Sequence, residues 1–207
     1  MWDKDCPLRL PGAYNSAVDI FTDAARLFVG GQRDECISLL GTIDGAGITD
    51  WYIEHGQQSG LHRNRILGLK LGAPLPIEGR YPVRSPAKLQ NAVFERDGYR
   101  CRYCGNKLID QDILRGFAKA LDSPIFTRGT TNLTSHAVIH IAWPVADHVV
   151  PWSRGGETSM DNLVASCAPC NYGKADFTIE QIGISNPLNR PALVDEWDGL
   201  RSLAAAL

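Results

Sequence analysis

The stretch Asp147–Lys174 reads DHVVPWSRGGETSMDNLVASCAPCNYGK. It sets an acid beside a histidine, then a Gly-Gly pair, an Asn-Leu pair, two cysteines and an asparagine. Its patterning predicts a short strand over 145–150, a long loop, a second short strand over 163–166 and a helix from about Pro169 onward. If the strands pair as a hairpin, Asp147, His148, Asn162 and Asn171 come into one neighbourhood. An Asp and an Asn side chain offer oxygen ligands suited to a hard divalent ion such as Mg²⁺. A neutral imidazole beside them can take a proton from water, and the ion can offset charge on a phosphate and its leaving oxygen. Together these groups are equipment for hydrolysing a phosphodiester.

Working outward, the next signal is the cysteines. Cys6 and Cys36 stand alone and read as plain buried residues. The other four form two C-x-x-C pairs, Cys101/Cys104 and Cys167/Cys170. In a reducing cytosol such pairs read as zinc ligands rather than disulfides. Two thiolates from one tight turn meet an ion, and a second turn completes a tetrahedral site.

With these residues in hand, the stretch resembles the HNH endonuclease family. The pattern is carried by "DHVVP", "SRGG", "DNL" and "CAPCN" followed by Lys174, with "CRYC" upstream as in the four-cysteine zinc version of the family. The resemblance covers residues 86–176. It implies an α+β fold, a ββα-metal finger with a structural zinc. It implies that His148 is the general base, that Asp147 and Asn171 hold the catalytic ion, and that Asn162 pins the loop that orients His148. The last letter of the motif is Asn171 rather than His, an H-N-N variant, which leaves the metal open among Mg²⁺, Mn²⁺ and Ni²⁺. The implied substrate is DNA, in a setting such as phage defence or a phage-encoded enzyme. The competing reading is a zinc-stapled binding module for nucleic acid or protein, without catalysis.

Composition fits this frame. The chain has 207 residues, 44% hydrophobic and 21% charged, with a net charge of -2. No apolar run approaches the ~20 residues needed to span a bilayer. The first residues lack a basic stretch leading into an apolar one, so a cytoplasmic protein is expected. The charge is uneven: residues 1–61 and 108–207 are net acidic, and residues 62–107 hold 10 Lys/Arg against 3 Asp/Glu. That basic block directly precedes the first cysteine pair. Arg84, Lys88, Arg96, Arg100 and Arg102 are therefore candidates for phosphate-backbone contacts, and Arg154 and Lys174 join them from the motif.

The rest of the chain divides into a helical region over 1–71, a Pro/Gly linker over 72–85 and the nuclease region over 86–207, with an insertion at about 105–146. Helices are expected over 13–29, capped by Asn15 or Ser16, over 32–41, from Thr49-Asp50 onward, from Ser85-Pro86 to Gly98, and over 110–121. "TNLTSHAVIHIAW" alternates like a strand, which would put His136 and His140 on one face. Residues 192–206 read as an amphipathic helix burying Leu193, Val194, Trp197, Leu200 and Leu203. Trp143 reads as core, and Trp152 as a residue able to stack on a base or sugar. The N-terminal helical region is a candidate for docking a protein partner or for self-association.

Overall fold

The computed structural model describes residues 5–8, 10–57, 73–80, 82 and 87–207. Arg84, the expected start of a helix at Ser85-Pro86 and the basic positions between 63 and 70 lie outside the described residues.

The first helix, α1, spans Ala13–Val29, as its apolar spacing requires, and buries Val18, Phe21 and Ala25. Its cap is Gly12, not Asn15 or Ser16, which lie exposed inside the first turn. Tyr14 explains the earlier start: it is buried edge-on against Trp51, with ring centroids 5.1 Å apart. Helix α2 spans Arg33–Leu40. Helix α3, Gly45–Trp51, begins before the expected Thr49 because the Asp44 carboxylate accepts the Gly47 amide at 2.9 Å. It runs on into a π-helical turn, Tyr52–Gln57.

These helices share one core with residues of the insertion. Helix α5, Gln111–Leu121, buries Ile113, Leu114, Phe117 and Leu121 on one stripe. Phe21 of α1 meets Phe117 and Phe126 with centroids 5.0 and 4.9 Å apart. Burying each such ring contributes on the order of 1.5–3 kcal/mol. The segment expected as a strand is a correction: it forms a 3-10 turn, Asn132–Thr134, and helix α6, Ala137–Ala142, every residue of which is buried. A run buried on all sides carries no useful alternation, so the period-2 pattern misled. His136 and His140 do not share a strand face. His140 stacks on Tyr52 at 4.7 Å, and His136 packs against Phe126 at 4.6 Å.

His136 also caps α6, its Nδ1 accepting the Val138 amide at 3.3 Å, which requires a neutral ring. Burial, and then the neighbouring His140, lower its pKa to about 4. The unfolded chain, with an ordinary value near 6.5, therefore binds the proton first as pH falls. Thermal stability is expected to decline from about pH 6.5 down to about pH 4. In His136→Asn, which keeps a cap acceptor but cannot titrate there, a melting series over that range should show a shallower decline.

The second core gathers helix α4, Ala87–Arg96, the turn 101–104, and the strands β1, Pro144–His148, and β2, Leu163–Cys167. The strands pair antiparallel, with Asp147 opposite Val164 and His148 opposite Leu163. Helix α7, Ala168–Lys174, follows directly, and α8, Ile179–Ile182, is closed by a Thr178/Gln181 capping box. Leu10 and Trp197 pack against both cores.

The expected C-terminal helix is a second correction. Only Arg201–Ala206 is helical, as a 3-10 run, and Leu193 and Val194 are 58% and 66% exposed. The Trp197 indole donates to the Leu108 carbonyl at 2.9 Å. That anchor ties the irregular segment before the 3-10 run to the core edge.

Asp97 joins α4, the turn and β2. It is fully buried, accepts Arg96 at 2.9 and 2.8 Å and Arg102 at 3.0 Å, and accepts the Ala165 amide at 2.8 Å. Arg96 continues to the Met160 and Leu163 carbonyls at 2.6 and 2.7 Å, and Arg102 to the Pro187 and Arg190 carbonyls. Removing the carboxylate strands two guanidinium groups and an amide. Asp97→Ala should cost about 3–5 kcal/mol, read from the urea midpoint, while Arg201→Ala, an exposed pair with Glu95, should change it little.

Candidate active site and metal centre

Asp147 and His148 end β1, and Asn171 and Lys174 lie on α7, which leaves β2 at Cys167. All four line one cavity of about 650 Å³, with Arg80, Pro151, Trp152 and Tyr172 among its other walls. The hairpin therefore brings the acid, the imidazole and the second asparagine together. Asn162 does not line it. It lies below the loop, where Oδ1 accepts the Val150 amide at 2.8 Å and Nδ2 donates to the Val150 and Glu157 carbonyls at 3.0 and 2.8 Å. The loop is held immediately after His148.

The Gly-Gly pair serves the same loop. Gly155 sits at φ +86°, a left-handed conformation that disfavours side chains. At Gly156 a Cβ would lie 1.8 Å from the Val150 carbonyl oxygen, so only glycine lets the loop close on the end of β1.

His148 is 7% exposed, with Nε2 3.0 Å from the Thr158 hydroxyl, itself buried. Asp147 is 6% exposed. Its Oδ2 accepts the Tyr103 hydroxyl at 2.6 Å, and the Lys174 ammonium lies 3.4 Å away. Burial raises the Asp147 pKa above the usual carboxylate value, with Lys174 and Tyr103 pulling the other way. Burial, then the Asp147 charge, pushes the Tyr103 hydroxyl up as well, so it stays a donor.

The four cysteines of the C-x-x-C pairs form a second centre where β2 passes into α7. Their sulfurs all lie within 4.8 Å of one another, and Cys104 and Cys167 are 3.8 Å apart. Four thiolates on a zinc ion at ~2.3 Å lie about 3.8 Å from one another, so the cluster could hold zinc. Tyr103 connects the centres, since it sits between Cys101 and Cys104 and donates to Asp147.

Residues 144–177 match the HNH endonuclease family. This HNH segment contains β1, the loop, β2 and α7, and it carries two of the four clustered cysteines. Comparison with curated proteins and with solved structures gave no match. Among the described residues no helix is long and apolar enough to cross a membrane.

The basic candidates are placed differently from one another. Arg96 and Arg102 are engaged by Asp97 and backbone carbonyls, and Arg100 pairs with Asp195 at 2.5 Å. Lys174 is fully buried against Asp147. Arg154 reaches the Asp176 and Ala73 carbonyls at 3.4 and 3.3 Å, whereas Lys88 is exposed. Among the described residues of the basic block, Arg96 and Arg102 thus serve the fold, because a buried carboxylate and backbone carbonyls need donors as much as phosphates do. Trp143 is partly buried, with the Arg115 and Arg128 guanidinium groups each 4.9 Å from its ring. Trp152 walls the cavity beneath the Arg80 guanidinium, 4.8 Å away.

Sequence reasoning missed Tyr103, Thr158 and Arg80 in the site, and the pairing of Lys174 with Asp147. Tyr103 carried one signal, its place inside a cysteine pair next to a metal site. Thr158 carried none.

Proposed function

We propose that the chain is a metal-dependent DNA endonuclease built on a ββα-metal finger, with zinc in the four-cysteine cluster. The observation that carries this reading is the meeting of Asp147, His148 and Asn171 in one cavity within the HNH segment. His148 takes a proton from the attacking water. Thr158 orients the imidazole, and Asn162 keeps the following loop in place. Asp147 and Asn171 would hold a hard divalent ion through oxygen donors, a set whose chemistry fits Mg²⁺ or Mn²⁺. When bound, such an ion supplies Lewis-acid stabilisation of charge on the phosphate and leaving oxygen. Tyr103 and Lys174 fix the Asp147 carboxylate and offset the cost of burying it. Among the described residues of the basic block, Arg80, at the cavity wall on Trp152, and the exposed Lys88 are basic groups that could meet the DNA backbone.

One observation favours a second reading, a zinc-stapled DNA-binding module without catalysis. The Lys174 ammonium already occupies a cation position at Asp147. Supercoiled plasmid separates the two readings. Incubation with Mg²⁺, Mn²⁺ or Ni²⁺ should give nicked or linear product that chelator abolishes. Binding in gel shift with no cleavage under any ion would establish the module instead. The setting, phage defence or a phage-encoded enzyme, and the cytoplasmic location remain part of this proposal, as does a partner-docking role for the N-terminal helices.

A further inference from the structure

Cys6 does not behave as a plain core cysteine. Its sulfur lies 3.6 Å from Cys170 Sγ, within the spacing of two thiolates on one zinc ion and shorter than the 3.8 Å between Cys104 and Cys167. Cys6 is 6% exposed and Cys170 is fully buried. The contact joins positions 164 residues apart and is reinforced on both sides. Pro7 and Leu8 are buried. Gly173, one turn past Cys170 on α7, leaves room for Leu8: a Cβ there would lie 2.9 Å from Leu8 Cβ. Asp5 faces Arg190 at 3.6 Å. The backbone carrying Cys6 is thus already seated at the centre, and bringing its sulfur to the ion needs side-chain rotation rather than refolding.

We propose that Cys6 is a fifth ligand-competent thiol of the zinc centre, able to replace Cys170. This rests on the reading that the four-cysteine cluster binds zinc. In the exchange the zinc–sulfur bond to Cys170 breaks and one to Cys6 forms. The Cys6 thiol proton passes to the departing Cys170 thiolate, so the ion keeps four thiolates and no redox partner is needed. The N-terminal segment is thereby tied to the nuclease unit through the metal, and the centre tolerates loss of one ligand on the Cys6 side alone.

The test compares metal content and Co²⁺ spectra in full-length protein. Co²⁺-loaded Cys170→Ser should keep one ion per chain and a thiolate-to-cobalt charge-transfer band of four-thiolate intensity. Cys6→Ser/Cys170→Ser should lose the ion or show a weaker band. Cys167→Ser, at the end of β2, should lose it with Cys6 intact. A Cys170→Ser spectrum of reduced intensity that Cys6→Ser leaves unchanged would overturn the exchange while leaving zinc binding in place. Wild type without tightly held zinc would overturn both. If Cys170→Ser does not fold, the rate of zinc transfer to a chromophoric chelator decides. Cys6→Ala in the wild-type background should speed transfer about tenfold, and an unchanged rate would overturn the proposal.

Discussion

His148→Ala is expected to lower the rate of plasmid cleavage by about 10²–10⁴-fold, the usual contribution of a positioned general base, with fold and zinc content retained. A neutral imidazole can accept a proton from the attacking water, the task of a general base. His148 is 7% exposed and held at the cavity wall by the Thr158 hydroxyl at 3.0 Å. His148 lines the cavity, so its replacement by alanine is expected to enlarge that cavity rather than open a void in either apolar core. Circular dichroism should therefore be unchanged. Asp147→Ala and Asn171→Ala should fail differently, by weakening the catalytic ion, so that raised metal concentration restores part of the rate. Asp147→Ala also leaves the buried Lys174 ammonium without its carboxylate, and some loss of stability should accompany it. A folded, zinc-loaded His148→Ala protein that cuts as fast as wild type would remove the imidazole from the mechanism.

Loss of zinc is expected to have the second largest effect, and on stability rather than turnover. A two-stranded sheet and a helix as short as α7 bury too little to stand alone, and structural zinc contributes on the order of 10–16 kcal/mol in small finger peptides. If only about 3–4 kcal/mol of that is expressed here, Cys167→Ser should lower the melting temperature by roughly 6–16 °C. Cys167 is the sensitive choice because it ends β2 and precedes α7 as its capping residue. Its loss frees both elements that carry the site. Strong chelation of wild type should reproduce the shift, and re-addition of zinc should reverse it. A melting temperature that responds to neither would mean that the cysteines pack without a metal.

The order strand, loop, strand, helix was legible in the sequence because each signal was local. Asp147 and His148 open a short apolar run, Gly155 and Gly156 mark a turn that admits no side chain, and Pro169 marks the first turn of a helix that begins right after Cys167. The paired cysteines named their own cluster by spacing. The span of helix α1 was readable, since a 3.6-residue apolar period needs no information from elsewhere, but its Gly12 cap was not, because Tyr14 packs on the distant Trp51. Other features depended on partners far away in the chain. Helix α6 looked like a strand because complete burial erases any polar face. The irregular, exposed path of Leu193 and Val194 goes with one indole, that of Trp197, reaching the distant Leu108 carbonyl.

The basic block shows the same division most clearly. Composition could count its charges but could not say that Asp97, one residue after Arg96, would claim Arg96 and Arg102 together. Nor could it say that Lys174 would turn inward to Asp147, or that Cys6 would arrive beside Cys170. Residue types and spacing along the chain determined the candidate chemistry. Which donor meets which acceptor, and which charge stays in water, was decided by burial, and burial is a property of the folded chain alone.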